Sequence, residues 1–432
     1  MAVSAPSHED IHRRKTMDQR ECDLMVRKHE LYILSRAGGQ RANFAYRNLT
    51  GLNLACKNLQ EADFTGAIMV DCDLSGTNLT RALLFCANLT KSKMVRANLT
   101  RADLRGACLK GADLTAAELF NADLREGQIF TKRLASDLES MRVDPDPSDM
   151  SRAKLVNANL TQANMSGSVA AMADFTDAIL KGANLAKANL KNAVMEGADL
   201  EGADLSRADL RGAVLRNANL YGAVFLAADR TGADDTGALT DAPRGKPMSL
   251  LKESLHTLIR DHQSWVESGG ASGKALDVSG FDMRDIEWPE HALLTSLKAA
   301  GACLAHARIK GAWLQASTFE GADLRGADFR TADLRGANLK GTNLVRANFE
   351  NSNLAPLVVA SGRALVTRFD RAILRHSRFV GCQLVQTSFR EADLRWSSFI
   401  DCETTGADYE LAIGRPSSAP PPEPTPPKAD GP

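Results

Sequence analysis

Residues 183–225 repeat one five-residue unit without a break: ANLAKANLKNAVMEGADLEGADLSRADLRGAVLRNANLYGAVF. Each unit has an alanine, then asparagine, aspartate or valine, then a large apolar residue, then two variable residues. A period of five fits neither a helix, with about 3.6 residues per turn, nor a flat strand, with about two. The chain must therefore turn a corner every five residues and form a solenoid.

Two positions of the unit must face inward. We name the large apolar residue position i, so that the alanine is position i−2. Small and large residues have to alternate inside a narrow coil, because overpacking costs about 1–3 kcal/mol for each misfit. The Asn or Asp at i−1 suits local hydrogen bonds from side chain to backbone. Glycine at i+2 suits a corner that needs unusual backbone angles.

This pattern resembles the pentapeptide-repeat family, A-[DN]-[LF]-x-x, over about two-thirds of the chain. The resemblance implies an all-β solenoid, a right-handed quadrilateral parallel β-helix with four units in each coil. The period alone predicts a solenoid and leaves its handedness and cross-section open.

The repeats are interrupted, and the interruptions predict two solenoids. The segment 131–152 breaks the pattern; its Leu134, Leu138 and Met141 suggest a short helix. We interpret it as an insertion, after which the same solenoid continues. In chain order, the predicted parts are a disordered start (1–16), a helical cap (17–41), a first solenoid (42–229, with the insertion 131–152), a linker (230–248), a second helical cap (249–275), a second solenoid (276–411) and a Pro-rich disordered tail (412–432).

The two predicted caps share a motif. His29-x-x-Tyr32 in the first has its counterpart in His262-x-x-Trp265 in the second. A solenoid needs its open end covered, since exposed parallel edges promote aggregation. The recurrence is therefore better explained by a packing layer that seals the first coil than by a functional pair.

Composition excludes several classes of function. The 53 basic and 53 acidic residues leave no net charge to attract nucleic acid or membrane. No apolar run is long enough to span a bilayer, and the start of the sequence lacks the apolar stretch of a secretory signal. The eight cysteines follow no metal or disulfide spacing. We expect a cytoplasmic protein of bacterial type, with reduced thiols.

No enzyme signature stands out. The sequence shows no nucleophile with a base and no pair of catalytic carboxylates, and the many aspartates follow the repeat rule at i−1. We therefore predict no catalytic residue, no cofactor and no metal site.

Two outward surfaces are candidate sites. With four units in a coil, residues twenty apart stack, which places Arg335, Arg375 and Arg395 in one basic column for a phosphate or an acidic partner, although a solvated face is commoner. Apolar residues also point outward near the C-terminus and suggest an interface: Val345, Leu365, Val380, Val385, Trp396 and Ile400. Members of the family that inhibit DNA gyrase often dimerise through their C-terminal ends, so the resemblance implies a homodimer there. A contact between the two solenoids, or burial under the tail, is the rival explanation.

The predicted function is a non-enzymatic protein-interaction scaffold with unknown protein partners. One alternative is a DNA-mimicking regulator of a topoisomerase such as DNA gyrase, which would need a contiguous acidic stripe; the repeat blocks are close to neutral. A second alternative, also implied by the resemblance, is an adaptor or effector of a secretion system. A third is an enzyme with a pocket where the insertion or linker meets a coil.

Overall fold

The structure is a computed structural model that describes residues 16–127 and 147–414. The helix predicted at Leu134, Leu138 and Met141 lies outside the described residues, as do residues 1–15 and 415–432. The chain divides into two units at the bond between Asp241 and Ala242. Among the described residues, each unit contains one α-helix followed by a run of coils.

Helix α1 of the first unit covers Gln19–Ile33, within the range 17–41 predicted for the first cap. It begins after Asp18, whose carboxylate accepts the N–H of Glu21 at 2.8 Å and so satisfies a backbone donor that a helix start leaves open. Its buried residues, Cys22, Val26 and His29, belong to the face that covers the first coil.

Parallel bridges join residues twenty apart at position i−1, and four such bridges complete one coil. Asn43, for example, pairs with Asp63, and Asp63 with Leu83. Most of these pairings are single bridges and not extended strands, because each side of the coil is only five residues long. Positions i and i−2 are buried along the regular runs of both units, which confirms the two predicted inward positions.

The corner of each side lies at position i+2, where the backbone is left-handed. Many of these corners are not glycines: φ is +57° at Arg81 and +55° at Asn121. Such residues tolerate a strained angle because the bridges on both sides hold it. Glycine is favoured where the backbones of two coils approach closely; a Cβ on Gly106 would lie 3.0 Å from Cα of Gly127.

The first solenoid differs from its predicted boundaries at two places. Asp149 bridges both Cys108 and Val169, so residues 149–152 belong to the coil and not to the insertion. Bridges also continue to Leu239, ten residues into the predicted linker 230–248. The pattern was missed there because Arg230 and Asp235 stand at position i. They form an ion pair at 2.5 Å, and the Arg230 guanidinium lies 4.7 Å from the Phe225 ring centre.

The second unit starts with strand β1 (Lys246–Pro247), which pairs in parallel with β2 (Phe281–Asp282). A 3-10 turn (Met248–Leu250) leads to helix α2 (Leu255–Glu267), within the predicted cap 249–275. Coils then run to Ile413, slightly past the predicted end at 411.

A hairpin interrupts the second solenoid, for which the sequence predicts a continuous run over 276–411. Strands β3 (Leu357–Val358) and β4 (Ala364–Leu365) pair antiparallel, and the bridges across them join residues thirty apart, as in Asn338 with Arg368. Ten additional residues equal two repeat units, so the five-residue register survives. Every later side is nevertheless displaced by half a coil.

Strands β5 (Arg378–Val380) and β6 (Ser398–Ile400) pair in parallel after the hairpin. Two stacks of aromatic rings fill the interior of this part, one through Phe349, Phe379 and Phe399 and the other through Phe369, Phe389 and Tyr409. Rings within a stack lie 4.7–5.2 Å apart, and the two stacks meet edge to face.

The histidines of the two caps make the same contact. Nδ1 of His29 accepts the N–H of Ala42 at 3.1 Å, and Nδ1 of His262 accepts that of Leu276 at 2.9 Å. Each imidazole stacks on the aromatic ring three residues later, Tyr32 or Trp265. The repeated motif therefore ties each helix to the start of its first coil.

Lowering the pH from 7 to 5 is expected to loosen both caps. Nδ1 must stay unprotonated to accept these bonds. Burial lowers the pKa of both imidazoles and outweighs the backbone hydrogen bonds that raise it, which for His29 involve Gln60; Arg41 lowers the pKa of His29 further, whereas Glu30 and Glu61 raise it. The unfolded chain thus binds the proton more tightly than the folded chain does. The contribution of each histidine to stability is therefore complete above pH about 6.5 and decreases at lower pH. The equilibrium constant for closing the cap falls by at most about tenfold per pH unit for each histidine.

Hydrogen exchange, corrected for the intrinsic rate at each pH, measures this effect. Helices α1 and α2 are expected to lose protection, whereas residues 183–225, which contain no histidine, keep theirs. Equal losses in the caps and in this control segment would show that the histidines are not responsible.

Candidate interaction surface

The polar side chains at position i−1 serve the backbone. Oδ1 of Asp63 accepts the N–H of Thr65 at 2.9 Å, and Oδ1 of Asn98 that of Thr100 at 3.0 Å. Hydrogen bonds of this kind from the side chain and N–H of Ser206 lower the pKa of the Asp204 carboxyl. These aspartates fix the corner that follows them, which agrees with the predicted repeat rule.

Arginines at position i+1 neutralise many of the same aspartates. Nε and Nη2 of Arg335 donate to the two carboxylate oxygens of Asp333 at 2.9 and 2.7 Å. Such two-pronged pairs are strong and directional. The same fork recurs at Arg105–Asp103, Arg125–Asp123, Arg211–Asp209, Arg284–Asp282, Arg325–Asp323, Arg330–Asp328 and Arg395–Asp393.

The predicted basic column of Arg335, Arg375 and Arg395 is wrong. Asn353 bridges Asp333 in the coil before it and Gln383 in the coil after it. The column of Arg335 therefore continues to Ala355 and Val385. Ile373 likewise bridges Asn343 and Asp393. Arg375 and Arg395 therefore stack with Val345 and not with Arg335. The reason is the half-coil displacement at the β3–β4 hairpin.

These three arginines also lie close to carboxylates. Arg335 and Arg395 are held in forks, and Nε of Arg375 lies 3.6 Å from Oδ2 of Asp393. A phosphate would have to compete with these carboxylates for the guanidinium groups. The arrangement does not form a phosphate-binding surface.

The six predicted interface residues separate into two groups. Val345 is buried, at 4% exposure, Leu365 lies half-buried in β4, and Val385 lies half-buried in the column of Arg335. Val380 and Ile400 are partners across β5 and β6, and Trp396 precedes β6 by two residues. This second group lies on adjoining sides of the last described coils. The hairpin and its displacement separate the other three.

Two further exposed apolar residues lie at the same end of the solenoid, on other sides of the coil, and the sequence analysis missed them. Leu411 and Ile413 lie on the last described coil, at the end of the predicted solenoid and beyond it. The bridge of Ile413 to Asp393 places Ile413 one coil after that aspartate. The twenty-residue spacing of the coils, applied to the sequence, could have identified this position. We call the four exposed residues the apolar rim: Trp396 (47% exposed), Ile400 (48%), Leu411 (76%) and Ile413 (55%).

The apolar rim borders the last described edge of the backbone. In inner coils, the N–H groups at i and i+2 donate to the next coil, as Leu374 does to Asp393 at 2.8 Å and Arg371 to Arg390 at 2.8 Å. Among residues 16–127 and 147–414, no coil follows the sides that begin at Phe399 and Thr404. An edge of this kind is able to pair with another chain.

A groove in the second solenoid, on the side whose last described coil carries Leu411, is charged but neutralised within itself. It is lined by Glu320, Lys340, Asp370, Arg371, Arg390 and Glu391, among others. Arg371 pairs with Glu391 at 2.9 Å, and Lys340 lies 3.6 Å from Asp370. It therefore offers no excess charge of one sign to a ligand.

Two other kinds of site can be assessed for the described part of the chain. It contains no group of three or more His, Cys, Asp or Glu side chains arranged to hold a metal ion. Neither described helix has the length and apolar character that a membrane crossing needs.

Comparison with solved structures finds several proteins that are similar to parts of this chain. HetL from the cyanobacterium Nostoc sp. strain PCC 7120, a pentapeptide-repeat protein involved in heterocyst differentiation regulation, is 31% identical over 49% of this chain and 95% of its own, with a TM-score of 0.27. Rfr23 from the cyanobacterium Cyanothece 51142 is 30% identical over 32% of this chain and 91% of its own, with a TM-score of 0.24. QnrB1, a plasmid-mediated fluoroquinolone resistance protein, is 20% identical over 47% and 93%, with a TM-score of 0.23.

The family comparison is more extensive. No curated protein matches the chain. The profile for pentapeptide repeats matches eight stretches that together cover more than half of it: 40–81, 82–119, 148–185, 171–207, 203–234, 302–341, 332–355 and 367–403. The chain belongs to the pentapeptide-repeat family.

Proposed function

We propose that this protein is a non-enzymatic, cytoplasmic interaction scaffold whose binding surface is the apolar rim. The scaffold consists of two right-handed quadrilateral solenoids with helical caps, the geometry that the family resemblance implies. The observation that carries the proposal is the exposure of four large apolar side chains around the last described coil. Clusters of exposed apolar residues are typical of interfaces.

The charged surface supports the same proposal by contrast. Many arginines at i+1 are held by aspartates at i−1, and these aspartates also accept backbone N–H groups. A DNA mimic that regulates a topoisomerase would need a stripe of unpaired carboxylates. The pairing of these aspartates with arginines disfavours that alternative. Nucleic-acid binding would need unpaired cations and is disfavoured for the same reason.

We propose a second copy of this chain as the first occupant of the apolar rim. The rim adjoins a backbone edge that is suited to pairing with another solenoid end. Trp396 supplies an aromatic anchor of the type that often dominates the energy of an interface. A homodimer through the C-terminal end of the second solenoid satisfies both features.

Light scattering on the full chain tests this proposal. The wild type is expected to have twice the monomer mass of 46.5 kDa. The double variant Ile400→Asp/Leu411→Asp is expected to weaken dimerisation at least about tenfold, because each aspartate would need to be desolvated in the interface. Met172→Asp, which changes a residue of similar exposure (50%) in the first solenoid, is the matched control.

The dimer is contradicted by a wild type that stays monomeric at high concentration, or by a control that dissociates as readily as the double variant. A monomeric wild type would leave the apolar rim for a different protein, such as a component of a secretion system.

A further inference from the structure

Cys382 and Cys402 occupy the same inward position, i−2, in consecutive coils. The residues beside them, Gln383 and Glu403, form a parallel bridge, and the N–H of Glu403 donates to the carbonyl of Cys382 at 3.0 Å. Residues stacked in this way lie about 4.8 Å apart. That separation falls within the range of Cα distances that a disulfide spans. Of the eight cysteines, no other two lie twenty residues apart.

The two thiols differ in environment. Cys382 is buried, its Sγ donating to the carbonyl of Phe349 at 2.9 Å, whereas Cys402 is half-buried on the last described coil. The interaction of the two side chains lowers the pKa of Cys402, and the same interaction, together with burial, raises the pKa of Cys382. Cys402 is therefore the more reactive thiol, and Cys382 is its buried neighbour.

We propose that Cys402 and Cys382 form a peroxide-oxidisable thiol pair that closes to a disulfide. The Cys402 thiolate attacks hydrogen peroxide, so that an S–O bond forms, the O–O bond breaks and hydroxide leaves, taking up a proton as water. The sulfur, now a sulfenic acid, has lost two electrons to the peroxide. The Cys382 sulfur then attacks it; the S–S bond forms, the S–O bond breaks, and hydroxide leaves with the Cys382 proton as a second water.

The disulfide would fasten the last coil to the one before it. It closes a loop over residues 383–401, which contains Trp396 and Ile400 of the apolar rim. A cross-link restricts the conformations that the opened loop can reach. In a reducing compartment such a bond is transient and acts as a redox sensor. The cross-link itself is independent of any partner, so it is tested separately from the proposed dimer.

Peptide mass spectrometry on the folded full chain tests the proposal. After treatment with hydrogen peroxide and alkylation of the remaining thiols, we expect the peptides with Cys382 and Cys402 to be joined, with the loss of two hydrogens. Dithiothreitol is expected to separate them. Oxidation of Cys402 to sulfinic acid without a cross-link, or no oxidation of either residue, would overturn the proposal.

Alanine variants separate the two roles, and alanine is the residue that the repeat itself places at i−2, so both variants should fold. Cys382→Ala is expected to leave a sulfenic acid on Cys402 that dimedone traps. Cys402→Ala is expected to leave Cys382 reduced at the same dose. Equal reaction of the two remaining thiols would refute the assigned roles.

The exposed Cys56 of the first solenoid provides the control. In Cys56→Ala the link between Cys382 and Cys402 is expected to form as in the wild type. Its loss would show that the oxidation reaches the pair from Cys56, which would also overturn the proposal.

Discussion

Replacing Phe379 with alanine is expected to lower the free energy of unfolding of the second solenoid by about 3–5 kcal/mol. The Phe379 ring is fully buried and stacks between Phe349 and Phe399 at 4.8 and 4.7 Å. It also meets Phe369 and Phe389 edge to face at 6.0 and 5.9 Å. Its removal leaves a cavity that a bridged backbone cannot close, since both neighbouring coils are fixed by hydrogen bonds.

Tryptophan fluorescence during urea unfolding measures this loss, because all four tryptophans lie in the second unit. Phe379→Leu, which introduces the commonest residue of position i, is expected to cost less than about 1.5 kcal/mol. Arg378→Ala changes the adjacent outward residue and is expected to have little effect. A Phe379→Ala variant as stable as Arg378→Ala would contradict the role given to the ring stacks.

Replacing Ala188 with leucine is expected to destabilise the first solenoid by about 1–3 kcal/mol. Ala188 is fully buried at position i−2, between Ser168 and Ala208 in the neighbouring coils. Large side chains at i−2 occur only in the first two coils of each unit, within the described residues. In the middle of a solenoid, coils on both sides leave no room for one.

The matched control is Ala188→Ser, which adds a hydroxyl but little volume. Ser168, stacked next to it, donates its Oγ to the carbonyl of Met165 at 2.7 Å, so an analogous bond is available at residue 188. We expect the free energy of unfolding of the serine variant to lie within about 1 kcal/mol of the wild-type value. Hydrogen exchange of residues 178–200 measures both variants. Equal destabilisation by serine and leucine would indicate that polarity, and not size, limits position i−2.

The sequence predicted the coil because the five-residue period fixes which residues face inward. Leu190 and Ala188 are buried as that period requires. The first solenoid's end could not be predicted from the same rule, since Arg230 and Asp235 occupy position i as an ion pair that lies beside Phe225. A search for apolar residues at position i therefore misses a side of the coil where a salt bridge occupies that position.

The candidate site was only partly predictable, for a different reason. The β3–β4 hairpin adds ten residues, a multiple of five, so the period continues while the faces change. Arg335 was therefore placed above Arg375, although the two belong to different columns. Trp396 and Ile400 were identified because they lie on one side of the hairpin, where spacing and stacking agree.

Hydroxyl-radical footprinting of the full chain at low and high protein concentration tests the central claim most directly, because it reports which side chains become covered. We expect Trp396, Ile400, Leu411 and Ile413 to lose reactivity as the concentration rises, while Met172 and Val358, which are also exposed, keep theirs. Unchanged reactivity of the apolar rim, together with protection elsewhere, would contradict its role as the binding surface.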